Sequence, residues 1–289
     1  TRFTDVTGVQ TCALPIYCRI LGHVAYRALM LIVIANVIGT IHRGEPGLSF
    51  INVLDQIAIG YLLAFLVINR GYLGQGLTAA GILLFYTLAW VFYPGNGPGG
   101  PWERSFQNLG GDFDMWLLGT NYGGYYVGLN AIPATATIIF GMMTGRLVGS
   151  GRSPKRIIKL LATAGFAGIA LGLILCPAVP VIKRIWTASF TLYSAGIVIL
   201  GLLVVYWMVE VRKWTSWTFI PVVVGMNSIF AYIIFMMARG SVEKAVLAFI
   251  RPLVEVMGPW GSVLHSLLSL AVIWYFLYFF YKHRIFIKV

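Results

Sequence analysis

From Ile185 to Val209, and again from Val256 to Tyr281, the chain carries no charged side chain. A helix needs about 20 mostly apolar residues to cross about 30 Å of hydrocarbon. Runs of that kind fall near residues 24–41, 53–69, 75–93, 131–148, 157–176, 187–209, 218–237 and 261–281. They are continuous rather than alternating, which excludes a transmembrane β-barrel. Soluble domains carry about 25% charged residues; here 10% of 289 residues are charged and 59% are apolar. That composition excludes a soluble domain, a disordered chain and a disulfide scaffold. The expectation is an all-α, polytopic membrane helix bundle of about eight transmembrane helices, with the lipid bilayer as its first partner. Cys12, Cys18 and Cys176 have no metal-ligand spacing and offer no disulfide framework, so no metal is expected.

The distribution of Lys and Arg sets an expected orientation. With the first run crossing from inside to outside, the inside segments hold 13 basic residues, opposed by Glu210 alone. The outside segments hold 7, among them Lys183 and Arg184, offset by seven acids. The net charge of +12 is therefore read as a topology signal rather than a nucleic-acid stripe, with both termini in the cytosol. Residues 1–16 lack helical periodicity and the features of a signal peptide. They resemble a translated sequencing adapter, so the native chain is expected to resume near Tyr17 as one domain over 17–289; a short disordered tail is the alternative.

Several polar residues invite a functional reading. The segment 94–130 holds ten glycines together with Trp102, Phe106, Phe113, Trp116, Tyr122, Tyr125 and Tyr126. It suits a sugar-sized cleft, or else a loose connector with an interfacial aromatic belt. Asn130, three residues before Pro133, reads as an N-cap that leaves an amide-rich helix end facing outward. Lys183 and Arg184, followed by Trp186, stand against the positive-inside pattern. They would meet an acidic lipid, substrate or side chain such as Asp112 or Asp114, or simply water. Asn227 and Ser228 interrupt an apolar run, where an unpaired amide is costly. They read either as contacts between helices or as a substrate lining. Asp55, next to Gln56, is the acid inside a run, with Lys183 or Arg184 as its expected partner. His265 lies near the outer end of the last run, with His23, His42 and His283 flanking others; imidazole titrates in the range useful for proton transfer. The stretch from Arg152 to Lys159 could meet phosphates or serve as an ordinary positive-inside anchor.

Five strings in order resemble the heparan-α-glucosaminide N-acetyltransferase family and its bacterial relatives. They are NVLDQIAIGYLLAF (Asn52–Phe65), LNAIPATATIIFGMMTGRLV (Leu129–Val148), PVIKRIWTASF (Pro180–Phe190), GMNSIFAY (Gly225–Tyr232) and YKHRIFIKV (Tyr281–Val289). The similarity extends from about Tyr17 to the C-terminus. The resemblance implies a bacterial cytoplasmic-membrane enzyme that takes acetyl from cytosolic acetyl-CoA and delivers it to an amino sugar or other saccharide on the far side. Acetyl-CoA is then the co-substrate, and a homodimer is admitted. It also implies that the reacting histidine belongs to an N-terminal helical region ahead of the matching residues, so no catalytic residue carries over and the chain is expected to be a piece of the enzyme. Lys183, Trp186, Asn227 and Ser228 match family positions, whereas Asp55–Gln56 stands where many relatives have Gln–Arg. Asn227 and Ser228 are expected to donate to the thioester carbonyl, and Lys183 to orient the acceptor. A secondary transporter or flippase for a small anionic or glycan-linked solute is the competing expectation, weakened because the two halves show no repeat.

The charge asymmetry makes a direct topology prediction. A fluorescent protein fused after Val289 is expected to fold and fluoresce. Alkaline phosphatase inserted near Pro98 should be active, and inactive when inserted near Gly151. The opposite pattern would invert the orientation.

Overall fold

The computed structural model describes residues 6–287, with side chains from Ile20 onward. Residues 1–5 of the adapter-like stretch lie outside the described residues, and from Val6 the backbone is helical. The helices are α1 (Val6–Arg43), α2 (Val53–Phe65), α3 (Tyr72–Val91), α4 (Leu109–Leu118), α5 (Ala131–Val148), α6 (Pro154–Leu175), α7 (Ala188–Tyr206), α8 (Phe219–Met226), α9 (Ser228–Val256) and α10 (Pro259–Lys282). No strand occurs among the described residues. Six helical stretches there are long and apolar enough to cross a membrane, and the bent α8–α9 pair brings the number to seven. Leu73, Phe85, Ile174 and Val198 are more than two-thirds exposed, which in water would be untenable for so many large apolar groups. The protein is a multi-pass helical membrane protein.

Two of the eight apolar runs depart from a plain span. The run 53–69 contains only the 13 residues of α2, about 20 Å of helix. Beyond Phe65 the chain tightens into successive turns, with Leu66, Val67, Ile68 and Arg70 each donating to the carbonyl three residues back. At about 2 Å per residue, these turns carry the path on by roughly 10 Å, close to a full crossing. The Val67 carbonyl, already accepting from Arg70, and the Ile68 carbonyl both also accept from Nε2 of the fully buried Gln75, at 3.2 Å. The run 218–237 is broken at Asn227, where the axes of the flanking helices diverge by 75°. Asn227 sits at φ −129°, ψ 44°, outside the helical region.

The chain divides into two compact units, residues up to Arg212 and residues from Lys213 onward. In the first, antiparallel neighbours place the ends of α1, α3 and α6 beside the starts of α2, α5 and α7. This capped end carries the segments 44–52, 92–130 and 176–187, while the opposite, basic end carries 66–71, 149–153 and 207–212. Close backbone approach holds α6 on α7. A Cβ at Gly168 would lie 3.0 Å from the Gly196 Cα, and one at Gly196 would lie 2.6 Å from the Gly165 carbonyl oxygen. Small residues at such crossings let dispersion act where lipid removes the hydrophobic incentive to associate. In the second unit, Trp274 Nε1 donates to the Ile220 carbonyl at 3.1 Å, and Phe219 packs edge-on against Trp274, Tyr278 and Tyr281.

Replacing Gly196 with Leu should force α6 from α7. An apparent melting temperature in detergent lowered by several degrees, equivalent to about 1–3 kcal/mol, is expected; an unchanged melt would show that the crossing is not tight.

Candidate functional site

The capped end of the first unit gathers polar groups that hydrocarbon would not tolerate. Asn36, seven residues before the end of α1, is the hinge of this layer. Its Oδ1 accepts the Ser49 N–H at 2.8 Å, while Nδ2 donates to the Ile32 carbonyl at 2.9 Å and to Asp55 Oδ1 at 3.4 Å. Asp55 is fully buried in the first turn of α2. Asn52 caps that helix by accepting from the Leu54 N–H at 3.0 Å. Gln56, also buried, donates to the Ile51 carbonyl at 3.4 Å. The second Asp55 oxygen meets no donor among the described residues.

The 94–130 segment is an ordered cap, not a loose connector. Asn108 caps α4 by accepting from the Gly111 N–H at 2.9 Å, and Gly119 closes it at φ 68°. From α4, the buried Asp114 receives the Gly128 N–H on both oxygens, at 2.9 and 3.1 Å. Gly128 is required there because a Cβ would fall 2.8 Å from Asp114 Oδ1. Burial raises the Asp114 carboxyl to about 6, against the opposing pull of the Gly128 N–H. The Tyr122 hydroxyl accepts from the Phe50 N–H at 3.2 Å. Burial pushes its phenol up; the Phe50 bond and Arg43 oppose this, and the Asp114 and Asp55 charges add to it. Tyr122 thus stands in the field of both buried carboxylates. At the rim, Tyr93 donates to Asp112 Oδ2 at 2.6 Å, a bond that holds the phenol above its ordinary value.

A third strand of contacts comes from the turn before α7. Trp90 and Trp102 stack with centroids 6.5 Å apart. Arg184 donates to the Trp102 carbonyl at 2.9 Å, and its own carbonyl accepts from Asn130 Nδ2 at 2.8 Å. Burial, then the nearby Arg104, lower the Arg184 guanidinium from its usual value. Tyr86 donates to the Ile185 carbonyl at 2.9 Å. Thr187 caps α7 while donating to Pro180, and Trp186 occupies the left-handed region at φ 49°, an uncommon place for so bulky a residue. Its indole donates to Thr137 at 3.4 Å.

The structure thus gathers Asp55, Asn130 and Arg184 in one end of one unit and revises two expectations. Asn130 does not cap α5: it is already helical at φ −55° with no side-chain cap bond, and its amide is spent on Arg184 instead. Asp55 forms no ion pair with Lys183 or Arg184 among the described residues. Its polar contact is Asn36, Arg184 serves Trp102, and Lys183 is exposed. Asn227 and His265 belong to the second unit. Asn227 is fully buried, and both groups of its amide bind the C-terminal tail, Nδ2 to the Ile285 carbonyl and Oδ1 from the Ile287 N–H, each at 3.0 Å. The adjoining Ser228 is exposed, and a His265 ring nitrogen lies 2.8 Å from the Glu243 carbonyl. No cluster of metal-ligating side chains occurs among the described residues. Asn36 and Gln75 escaped sequence reasoning, though both are amides in apolar runs and the rule applied to Asn227 would have found them.

Chemically, the capped end holds unmatched buried polar atoms of both kinds, with Trp90 Nε1 and Ser105 Oγ as donors and a larger set of acceptors. Among the described residues, Asp55 Oδ2, Asn96 Oδ1, Asn121 Oδ1 and Asn130 Oδ1 are buried with no donor. Buried polar atoms are nearly always paired, so this pattern suits a hydroxyl- or amine-bearing ligand. No protein-family model matches the chain, and no curated protein matches it.

The Asp114 shift has a signed consequence. Folded, this carboxyl binds its proton up to about pH 6, whereas unfolded it releases it near 3.8. The native state binds more protons between those values, so stability falls as pH rises through that window and levels off above it. Asp114→Asn should remove a decline on the order of 1–3 kcal/mol, read as melting temperature against pH in detergent. Parallel profiles for the two proteins would contradict the assignment.

Proposed function

We propose that this chain is the helical body of a membrane-embedded acyltransferase, moving acetyl from cytosolic acetyl-CoA to an amino sugar or other saccharide on the opposite side of a bacterial cytoplasmic membrane. The observation that carries the acceptor half of this reading is the capped end: an ordered Gly- and aromatic-rich roof with one carboxylate oxygen and three amide oxygens buried there and unmatched among the described residues. Saccharides present hydroxyl and amine donors for such oxygens and apolar ring faces for tryptophans. The donor half rests on the family resemblance and on the basic segments, which would face the cytosol with both termini. In this reading Asp55 and Asn130 hold acceptor hydroxyl or amine groups, and Arg184 holds the cap shut through Trp102. Lys183, exposed beside it, is free to meet the acceptor from outside the layer. Acyl transfer to an amine also needs a base and an oxyanion donor. Asn227 is engaged by the chain's own tail, so its expected part at the thioester is not carried forward.

One observation favours transport instead. The 75° break between α8 and α9 is the kind of discontinuous helix at which transporters bind solutes. The polar groups of Asn227 at that break, however, are already matched by Ile285 and Ile287. The enzyme reading therefore leaves the larger share of unpaired polar atoms explained.

The test is a titration of the nanodisc-held chain with a glucosamine-terminated disaccharide. Saturable binding is expected, weakened roughly tenfold to hundredfold in Asp55→Asn, as a hydrogen bond to a buried charge warrants. Absence of binding, coupled with uptake of labelled sugar or anion into proteoliposomes, would overturn the enzyme reading in favour of transport.

A further inference from the structure

We propose that the basic end of the first unit holds one anionic phospholipid, an acyl chain lying between α5, α6 and α7 and the phosphate resting on Arg152. The glycine crossing draws α6 and α7 onto each other and leaves a cleft against α5. Its volume is about 370 Å³, within the roughly 300–1,000 Å³ of ligand pockets. Phe140 and Met143 of α5, Leu161 and Ala164 of α6 and Ile199 of α7 form its apolar walls, and Arg152 stands among the residues that line it. Phe140 also lines a second apolar crevice of about 360 Å³, with Leu84, Leu171 and Leu192, which runs on toward the capped end. The two clefts in series form a narrow, greasy slot along the bilayer direction, suited to a hydrocarbon chain and of no benefit to a soluble anion.

Charge at the mouth selects the headgroup. Arg152 is exposed, and Lys155, Arg156 and Lys159 follow it on the first turns of α6, all exposed. Arg146 is already engaged, donating to the Arg70 carbonyl at 3.0 Å and lying over the Tyr72 ring. Glu210, beyond the end of α7, is the acid of this end of the unit. Arg152 at the slot and three further exposed cations on the first turns of α6 thus stand against one acid at this end of the unit. Basic pockets between transmembrane helices hold anionic lipid headgroups for this reason. This site is separate from the capped end and does not depend on the acyltransferase reading.

The experiment is native mass spectrometry of the delipidated full chain in detergent, with acetyl-CoA absent, offered equal phosphatidylglycerol and phosphatidylcholine. One phosphatidylglycerol should be retained, in about fivefold preference over phosphatidylcholine. In Arg152→Ala the preference should fall by about fivefold, the effect of one cation at the surface. Ala164→Phe, which fills the slot, should reduce retention of both lipids. Equal retention by the wild type, or an undiminished preference in Arg152→Ala, would overturn the proposal. So would full retention by Ala164→Phe, which would place the lipid on the surface charge rather than in the slot.

Discussion

Asn36 meeting Asp55 is the contact on which the first unit turns. Hydrocarbon offers no water to satisfy a polar group, so each one inside a bundle must find a partner in the chain or be neutral. Asn36 answers for three elements at once: it accepts from Ser49 in the return segment, donates within α1, and reaches Asp55 at the start of α2. That link fixes where α2 enters the layer. The α2 axis then meets α5 so closely that a Cβ at Gly60 would lie 2.6 Å from an Ile138 methyl. Gln75 performs the matching service at the far end of α2 by taking the carbonyls of Val67 and Ile68.

The same logic explains why the capped end and the second unit differ as sites. In both, amides sit where the backbone leaves the regular helix. Asn227 spends its donor and its acceptor on the tail, so its polar capacity is closed. Asn130 spends its donor on Arg184 and keeps an unmatched acceptor, and Asp55 keeps an unmatched oxygen. Reactivity and recognition follow from what is left over. Trp186, held at positive φ beside Arg184, shows that this turn also carries backbone strain, a cost of order 1–3 kcal/mol that surrounding contacts must offset.

Much of the fold was legible because hydrocarbon demands long apolar runs: six of the eight runs are plain spanning helices, the run 53–69 holds a short one and the run 218–237 is broken at Asn227. What was not legible depended on backbone partners far away in sequence. The break at Asn227 is closed by Ile285 and Ile287, and no local pattern announces that pairing. Asn130 looked like a cap because Pro133 follows it; the carbonyl of Arg184, brought in by a turn fifty-odd residues later, took its amide instead. Asp55 was recognised as consequential from its type and position, yet its partner proved to be an amide rather than a cation, since Arg184 was drawn to Trp102. Glycine-rich composition between Pro94 and Asn130 suggested either looseness or a cleft. Asn108 as a cap and Gly128 against Asp114 make it ordered: Gly110, Gly111 and Gly128 serve close contacts, while Gly100, Gly119 and Gly124 supply left-handed turns.

The most direct measurement is a cryo-electron microscopy map of the whole chain in a nanodisc with a glucosamine-terminated oligosaccharide bound. The account requires sugar density at the capped end of the first unit, within hydrogen-bond reach of Asp55 or Asn130. Sugar density at the α8–α9 break with the Asn227 clasp opened, and none at the capped end, would contradict it.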